Sequence, residues 1–153
     1  MLRNPLPLLF AVVLSPMLVQ AQEVELTIEG LKGFRKDNVD AYLSAIPKEE
    51  YSTSIRFQAR LQRTITEALN AVGYYQPSFE FEVSEDKTEL IVKVSQGSSV
   101  RYKEVEIVIT GEAKDDPDFI AAIEASELKK GERLNHGDYD SLKSKLRNLG
   151  LQK

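Results

Sequence analysis

The chain has 153 residues, no cysteine, and 24 acidic against 20 basic side chains, for a net charge of −4. That length suits one domain or two small ones. Without cysteine there is no disulfide stapling and no lipidated cysteine at the N-terminus, and an acidic chain with no arginine–lysine block lacks the electrostatic footprint of a nucleic-acid binder.

Met1–Ala21 reads as a secretory signal peptide. Arg3 precedes the apolar run Leu6–Val19, and Val19-Gln20-Ala21 precedes a cut at Gln22. A membrane anchor is the rival reading, but this run is 14 residues with two internal prolines. A spanning helix needs roughly 20 apolar residues. No later segment is apolar enough to span a bilayer as a helix, so the exported part is expected to be soluble, with 132 residues and a net charge of −5.

Val24–Gly30, VELTIEG, alternates apolar and polar positions and ends on glycine, the pattern of a strand with one buried face that runs into a turn. Val39, Leu43 and Ile46 then lie on one face of a helix, with Asp37 as its expected N-cap and Pro47 beyond its end. Leu61, Ile65, Leu69 and Val72 form the stripe of a second helix. Gly73 falls where a left-handed cap residue is favoured, and Pro77 turns Gln76 towards extended geometry. Between them stand Tyr74 and Tyr75, either a hinge between helix and strand or a pair gripping a ligand. The hinge reading places one ring over the core and leaves the other partly wet. Phe79, Phe81 and Val83 alternate with Glu80, Glu82 and Ser84. A polar turn, Glu85-Asp86-Lys87, leads to Leu90, Val92 and Val94, which completes a β-hairpin by pattern.

The pattern then begins again. Val105–Gly111, VEIVITG, matches Val24–Gly30 at an offset of 81 and is expected to form a strand. Asp116-Pro117 places a cap before a proline at the first helical position, with Phe119, Ile120 and Ile123 on one face. Tyr139, Leu142, Leu146 and Leu149 form another helical stripe. LRNLGLQK (Leu146–Lys153) aligns with LNAVGYYQ (Leu69–Gln76) at an offset of 77. The second unit reaches Lys153 before its own hairpin, so the chain reads as cut short, and this half is expected to keep helical propensity without forming a cooperative domain. The division expected is a signal peptide at 1–21, a first unit at 22–99 and an incomplete second unit at 100–153.

Three groups invite a chemical reading. Glu80 and Glu82 share one face of a strand, about 6.8 Å apart, a spacing found in inverting glycosidases. A charged solvent face guarding an exposed strand is the better account. Asp115, Asp116 and Asp118 lack the spacing of a calcium loop and are explained by helix capping. His136 and Asp138 have no serine or cysteine nucleophile to serve and mark a turn into a helix. With no phosphate-binding glycine loop and no metal-ligand cluster, the sequence gives no support for an enzyme, a cofactor or a metal.

A signal peptide followed by tandem strand–helix–helix–strand–strand units, with G-Y-Y-x-P-x-F at the helix–strand junction (Gly73–Phe79), resembles the POTRA domains of the BamA/TamA outer-membrane assembly superfamily, most closely its TamA-like branch. VELTIEG, Ala68–Phe81, Gly137-Asp138-Tyr139, Lys143 and Leu146 carry the likeness. It implies an α+β fold of POTRA-like β-α-α-β-β units, each a three-stranded sheet with two helices on one face. It also implies a periplasmic arm that binds outer-membrane or autotransporter clients and a TamB-like periplasm-spanning partner. The third unit and the membrane barrel that follow in that family are not in this sequence. By the same likeness, the open sheet edge that receives an added strand is Ser78, Phe79, Glu80, Phe81, Glu82, Val83 and Ser84. Outside the family, the readings are a stand-alone periplasmic ligand-binding protein with Tyr74 and Tyr75 in a pocket and, more remotely, a hydrolase using Glu80 and Glu82.

Overall fold

A computed structural model describes residues 23–153; the signal-peptide reading of Met1–Ala21 lies outside the described residues. The order is strand β1 (Glu25–Glu29), helix α1 (Phe34–Leu43), helix α2 (Ile55–Ala71), strands β2 (Ser78–Val83) and β3 (Glu89–Ser95), then helices α3 (Pro117–Glu124) and α4 (His136–Gln152). Through β3 this is the expected α+β succession of strand, two helices and hairpin.

The three strands form one sheet in the order β1-β3-β2. β3 is central, parallel to β1 and antiparallel to β2. A parallel pair needs a long crossover, and α1, α2 and β2 supply it. In register, Leu26 lies beside Leu90 and Ile28 beside Val92, while Phe79 faces Val94, Phe81 faces Val92 and Val83 faces Leu90. The apolar residues of all three strands therefore share one face. Both helices contribute to the core packed there. Val39 and Leu43 of α1 and Phe57, Leu61, Ile65, Ala68 and Leu69 of α2 are buried with Leu90, Val92 and Val94. Leu61, Ile65, Leu69, Leu90 and Val92 are fully buried; each such side chain stabilises by about 1.5–3 kcal/mol relative to exposure. Asn38 Nδ2 donates to the Ala68 carbonyl at 2.7 Å, a polar tie between the helices.

Two local expectations need correction. α1 begins at Phe34, with Gly33 as its N-cap and no side-chain cap, so Asp37 sits in the first turn without capping it. There its negative charge still complements the positive end of the helix dipole. Ser84, expected at the end of the hairpin strand, instead organises the turn. Its hydroxyl accepts from the N–H of Thr88 and Glu89 at 3.1 and 2.9 Å and donates to the Asp86 carboxylate at 2.7 Å. Hydrogen bonds from the Ser84 and Thr88 side chains hold the Asp86 carboxyl below its ordinary pKa.

The helix–strand junction follows the hinge reading. Gly73 has φ +86°, the left-handed cap expected of it. Tyr74 is buried and belongs to the core, while Tyr75 is 40 % exposed. The same junction receives the later chain. The Val100 N–H donates to the Gly73 carbonyl at 2.7 Å and the Leu134 N–H to the Val100 carbonyl at 2.9 Å. Tyr102 donates to Glu132, and Gly131 to Tyr102, both at 2.9 Å. Residues 99–102 thus lie between the junction on one side and residues 131–134 on the other, an arrangement the sequence did not announce.

The second half departs further. Val105–Gly111 is not a strand: residues 103–110 carry no regular structure, and a 3₁₀ turn follows at Gly111–Asp115. Val105, Ile107 and Ile109 are half-buried and Val108 is exposed, so the alternation survives without its ladder. The physical reason is that a strand exists only with a hydrogen-bonding neighbour, and no strand among the described residues is placed beside it. α3 begins as expected, with Asp116 accepting from the Asp118 N–H and Pro117 at the first position. α3 and α4 pack together through Phe119, Ala122 and Leu142. Ile120 and Tyr139, expected on the buried stripes, are exposed, and Leu146 and Leu149 are half-buried. A second helix alone does not cover faces wide enough for a sheet.

Two expected outcomes test this arrangement. Gly73→Val puts a β-branched residue at positive φ, which costs on the order of 1–2 kcal/mol, and its Cβ would stand 2.3 Å from the Leu134 carbonyl oxygen. Denaturant unfolding should show at least that loss; an unchanged midpoint contradicts the cap. Hydrogen exchange should find the amides of Leu61, Ile65 and Val92 protected and those of residues 103–110, which make no backbone hydrogen bonds among the described residues, fast. Equal protection across both stretches would show that 103–110 is paired.

Candidate protein-binding edge and the unit junction

Because β3 is paired on both sides, β1 and β2 are the sheet's two edges. β2 carries residues Ser78–Val83 of the expected receptive edge; Ser84 belongs to the turn. Its inward side chains, Phe79 and Phe81, are half-buried against the core and stack with ring centroids 6.4 Å apart. Ser78, Glu80 and Glu82 are exposed on the opposite face. The strand therefore anchors by its apolar side and keeps a charged side in water.

On that outer face the register sets Glu29, Lys93 and Glu80 in a row across the sheet. Lys93 Nζ pairs with the Glu82 carboxylate. The hydrogen bond donated to Glu82 comes first among the influences that raise the Lys93 pKa, with Glu80 and Glu29 adding to it against desolvation. An exposed pair of this kind adds little stability. Its value is positional: one cation is held among three carboxylates, so the face stays acidic and hydrated. Glu80 and Glu82 thus form the charged solvent face expected of them, with Glu82 tied to a lysine.

The other singled-out groups take structural places. Asp116 caps α3, and Lys153 Nζ lies 2.9 Å from Asp116 and 3.0 Å from Asp118. Asn135 caps α4 by accepting from the Gly137 N–H, and its side chain also donates to Asp138. His136 turns away from that carboxylate: its Nε2 lies 2.9 Å from the Tyr75 hydroxyl. Among the described residues no group of three or more His, Cys, Asp or Glu side chains is placed to hold a metal ion. A cleft of about 470 Å³ beside His136 is lined by Tyr102, Leu134, His136, Tyr139 and Asp140, without Tyr74 or Tyr75.

Tyr74 has charged company that sequence reasoning missed. Arg35 donates to its hydroxyl at 3.4 Å, and the Arg35 guanidinium lies 5.8 Å from its ring centre. Arg133, from the later chain, sits 4.2 Å over the ring of Phe34. Burial works to raise the Tyr74 pKa, but the two guanidinium groups outweigh it and the phenol is held below its ordinary value. Arg35 and Arg133 are 98 positions apart and match no motif, so only the folded chain reveals them together.

Compared with known protein families, residues 25–96 match the family model described as POTRA domain TamA domain 1. The matched span opens at β1 and closes just past β3, so it takes in the whole three-stranded sheet with α1 and α2. No helix among the described residues is long and apolar enough to cross a membrane. Residues 25–96 of this chain are a TamA-like POTRA domain.

Proposed function

We propose that this chain is the periplasmic POTRA portion of a TamA-like outer-membrane assembly factor. It binds extended segments of client or partner proteins during translocation and assembly of outer-membrane proteins, autotransporters among them. The outer edge of β2, which pairs with no strand among the described residues, carries the reading. Backbone N–H and C=O groups at a sheet edge accept an added strand with little demand on its sequence, which suits a receptor for many unfolded barrel proteins. The exposed glutamates beside that edge discourage two such edges from pairing with each other.

In this reading the chain works as a non-catalytic scaffold. A TamB-like periplasm-spanning protein is the partner that the family likeness suggests. Residues 22–99 form the first unit, and residues 100–153 supply the strand-equivalent segment and two helices of a second. The pairing of α3 with α4 and the tandem sequence match support that division.

Photo-cross-linking residues placed at Glu80 and Glu82 should capture extended client or partner segments in the periplasm. Capture concentrated instead around Tyr74 and Tyr75, and displaced by a small molecule, would support the ligand-binding reading. Export has its own check. Mass spectrometry of the cellular protein should find Gln22 at the N-terminus; an intact Met1 in the cytoplasm would remove the periplasmic assignment.

A further inference from the structure

We propose that Arg35, Arg133 and the Tyr74 hydroxyl form a receptor for a carboxylate group carried by a partner polypeptide. The first observation is a charge imbalance. The ion pairs among the described residues engage Lys36, Arg60, Lys93 and Lys153, and neither Arg35 nor Arg133 belongs to one. Yet both guanidinium groups lie beside the same ring, 5.3 and 4.2 Å from the centre of Phe34. Two like charges gathered at one place without a counter-ion repel each other, and an anion relieves that repulsion.

The second observation concerns hydrogen bonding. The Nε atoms of Arg35 and Arg133 are buried and have no acceptor among the described residues. Arg35 donates to Tyr74 over a long 3.4 Å, and Arg133 also acts on that hydroxyl. Stacking on an aromatic ring uses the face of a guanidinium and leaves its in-plane donors available. The protein's own atoms therefore do not saturate this cluster. The depressed pKa of Tyr74 agrees that positive potential dominates there.

The third is access. Both arginines are half-buried rather than buried, and Phe34 beside them is 42 % exposed. Carboxylates and phosphates both match the arginine fork. The choice of a carboxylate on a polypeptide rests on the protein-binding reading of this unit, and Tyr74 stands only four positions before β2. The location is also telling. Arg35 lies in the first turn of α1 and Arg133 comes from the strip paired with residues 99–102. An anion bound between them bridges the first unit to the later chain.

Titrating the purified chain, labelled at arginine nitrogen, with acetate tests the site itself. The side-chain signals of Arg35 and Arg133 should shift together and saturate. Arg133→Gln and Arg35→Gln should each weaken binding on the order of tenfold, with Arg133→Lys intermediate, while circular dichroism stays that of the parent. The Tyr74 phenol, followed by ring-carbon labelling, should titrate at higher pH once acetate is bound. Two peptides then locate the source: one with a single internal aspartate and an amidated end, the other with asparagine and a free C-terminal carboxylate. Arginine-dependent binding of either supports the proposal and says which carboxylate is taken. Acetate shifts that do not saturate, or that persist in the Arg35→Gln/Arg133→Gln double variant, would overturn it. So would arginine-dependent binding to phosphatidylglycerol vesicles with no binding to either peptide, which would mark a headgroup site. Because acetate probes the cluster without any strand addition, failure to cross-link at β2 leaves this result readable on its own.

Discussion

Everything in the first unit depends on β3 being held from both sides. A parallel partner on one edge and an antiparallel partner on the other satisfy its backbone, so Leu90, Val92 and Val94 can be placed under α1 and α2 with no unpaired polar group carried in with them. Among the described residues β1 and β2 each have one neighbour, and each is half-buried where β3 is buried. The contrast between a saturated centre and two unsaturated edges is what gives this small sheet both a core and a receptive surface.

The first unit was legible because its local signals and its tertiary needs agree. The period of two in Leu26–Ile28, Phe79–Val83 and Leu90–Val94 and the helical spacing of Leu61, Ile65 and Leu69 each name a buried face, and the fold buries those faces together. Gly73 and Pro77 mark the junction through backbone geometry, which is local and therefore readable. The same habits misled at Val105–Gly111. There the alternation is as clean as in Val24–Gly30, but pairing is a property of two segments, and one segment's pattern cannot report whether the other is present. The N-terminus of α1 shows a milder failure: an acidic residue three positions inside the helix mimics a cap, because caps and first-turn acids draw on the same residue types.

What sequence could not show is the junction. Phe34 and Arg35 from α1, Tyr74 from the hinge and Arg133 from the later strip meet only because residues 99–102 run back beside Gly73. Charge counting hid the cluster, since an acidic chain with no basic block offers no hint that two unpaired guanidinium groups converge. Gly73 serves both sides of this meeting. It ends α2 in a left-handed turn and leaves room for the Leu134 carbonyl where a Cβ would stand.

The parallel pairing of β1 with β3 has a consequence in time. Glu25 lies beside Glu89, 64 residues later, and a polypeptide is synthesised, and emerges from any channel, N-terminus first. Helices α1 and α2 can form from neighbours in the chain, and the β2–β3 hairpin closes locally. β1 alone has no local partner. It must wait as an unpaired, half-apolar segment until the whole crossover and the hairpin have emerged, so the first strand made is the last to be secured. Non-local closure of this kind is the slow step of mixed topologies, and it leaves the segment open to other strands in the interval.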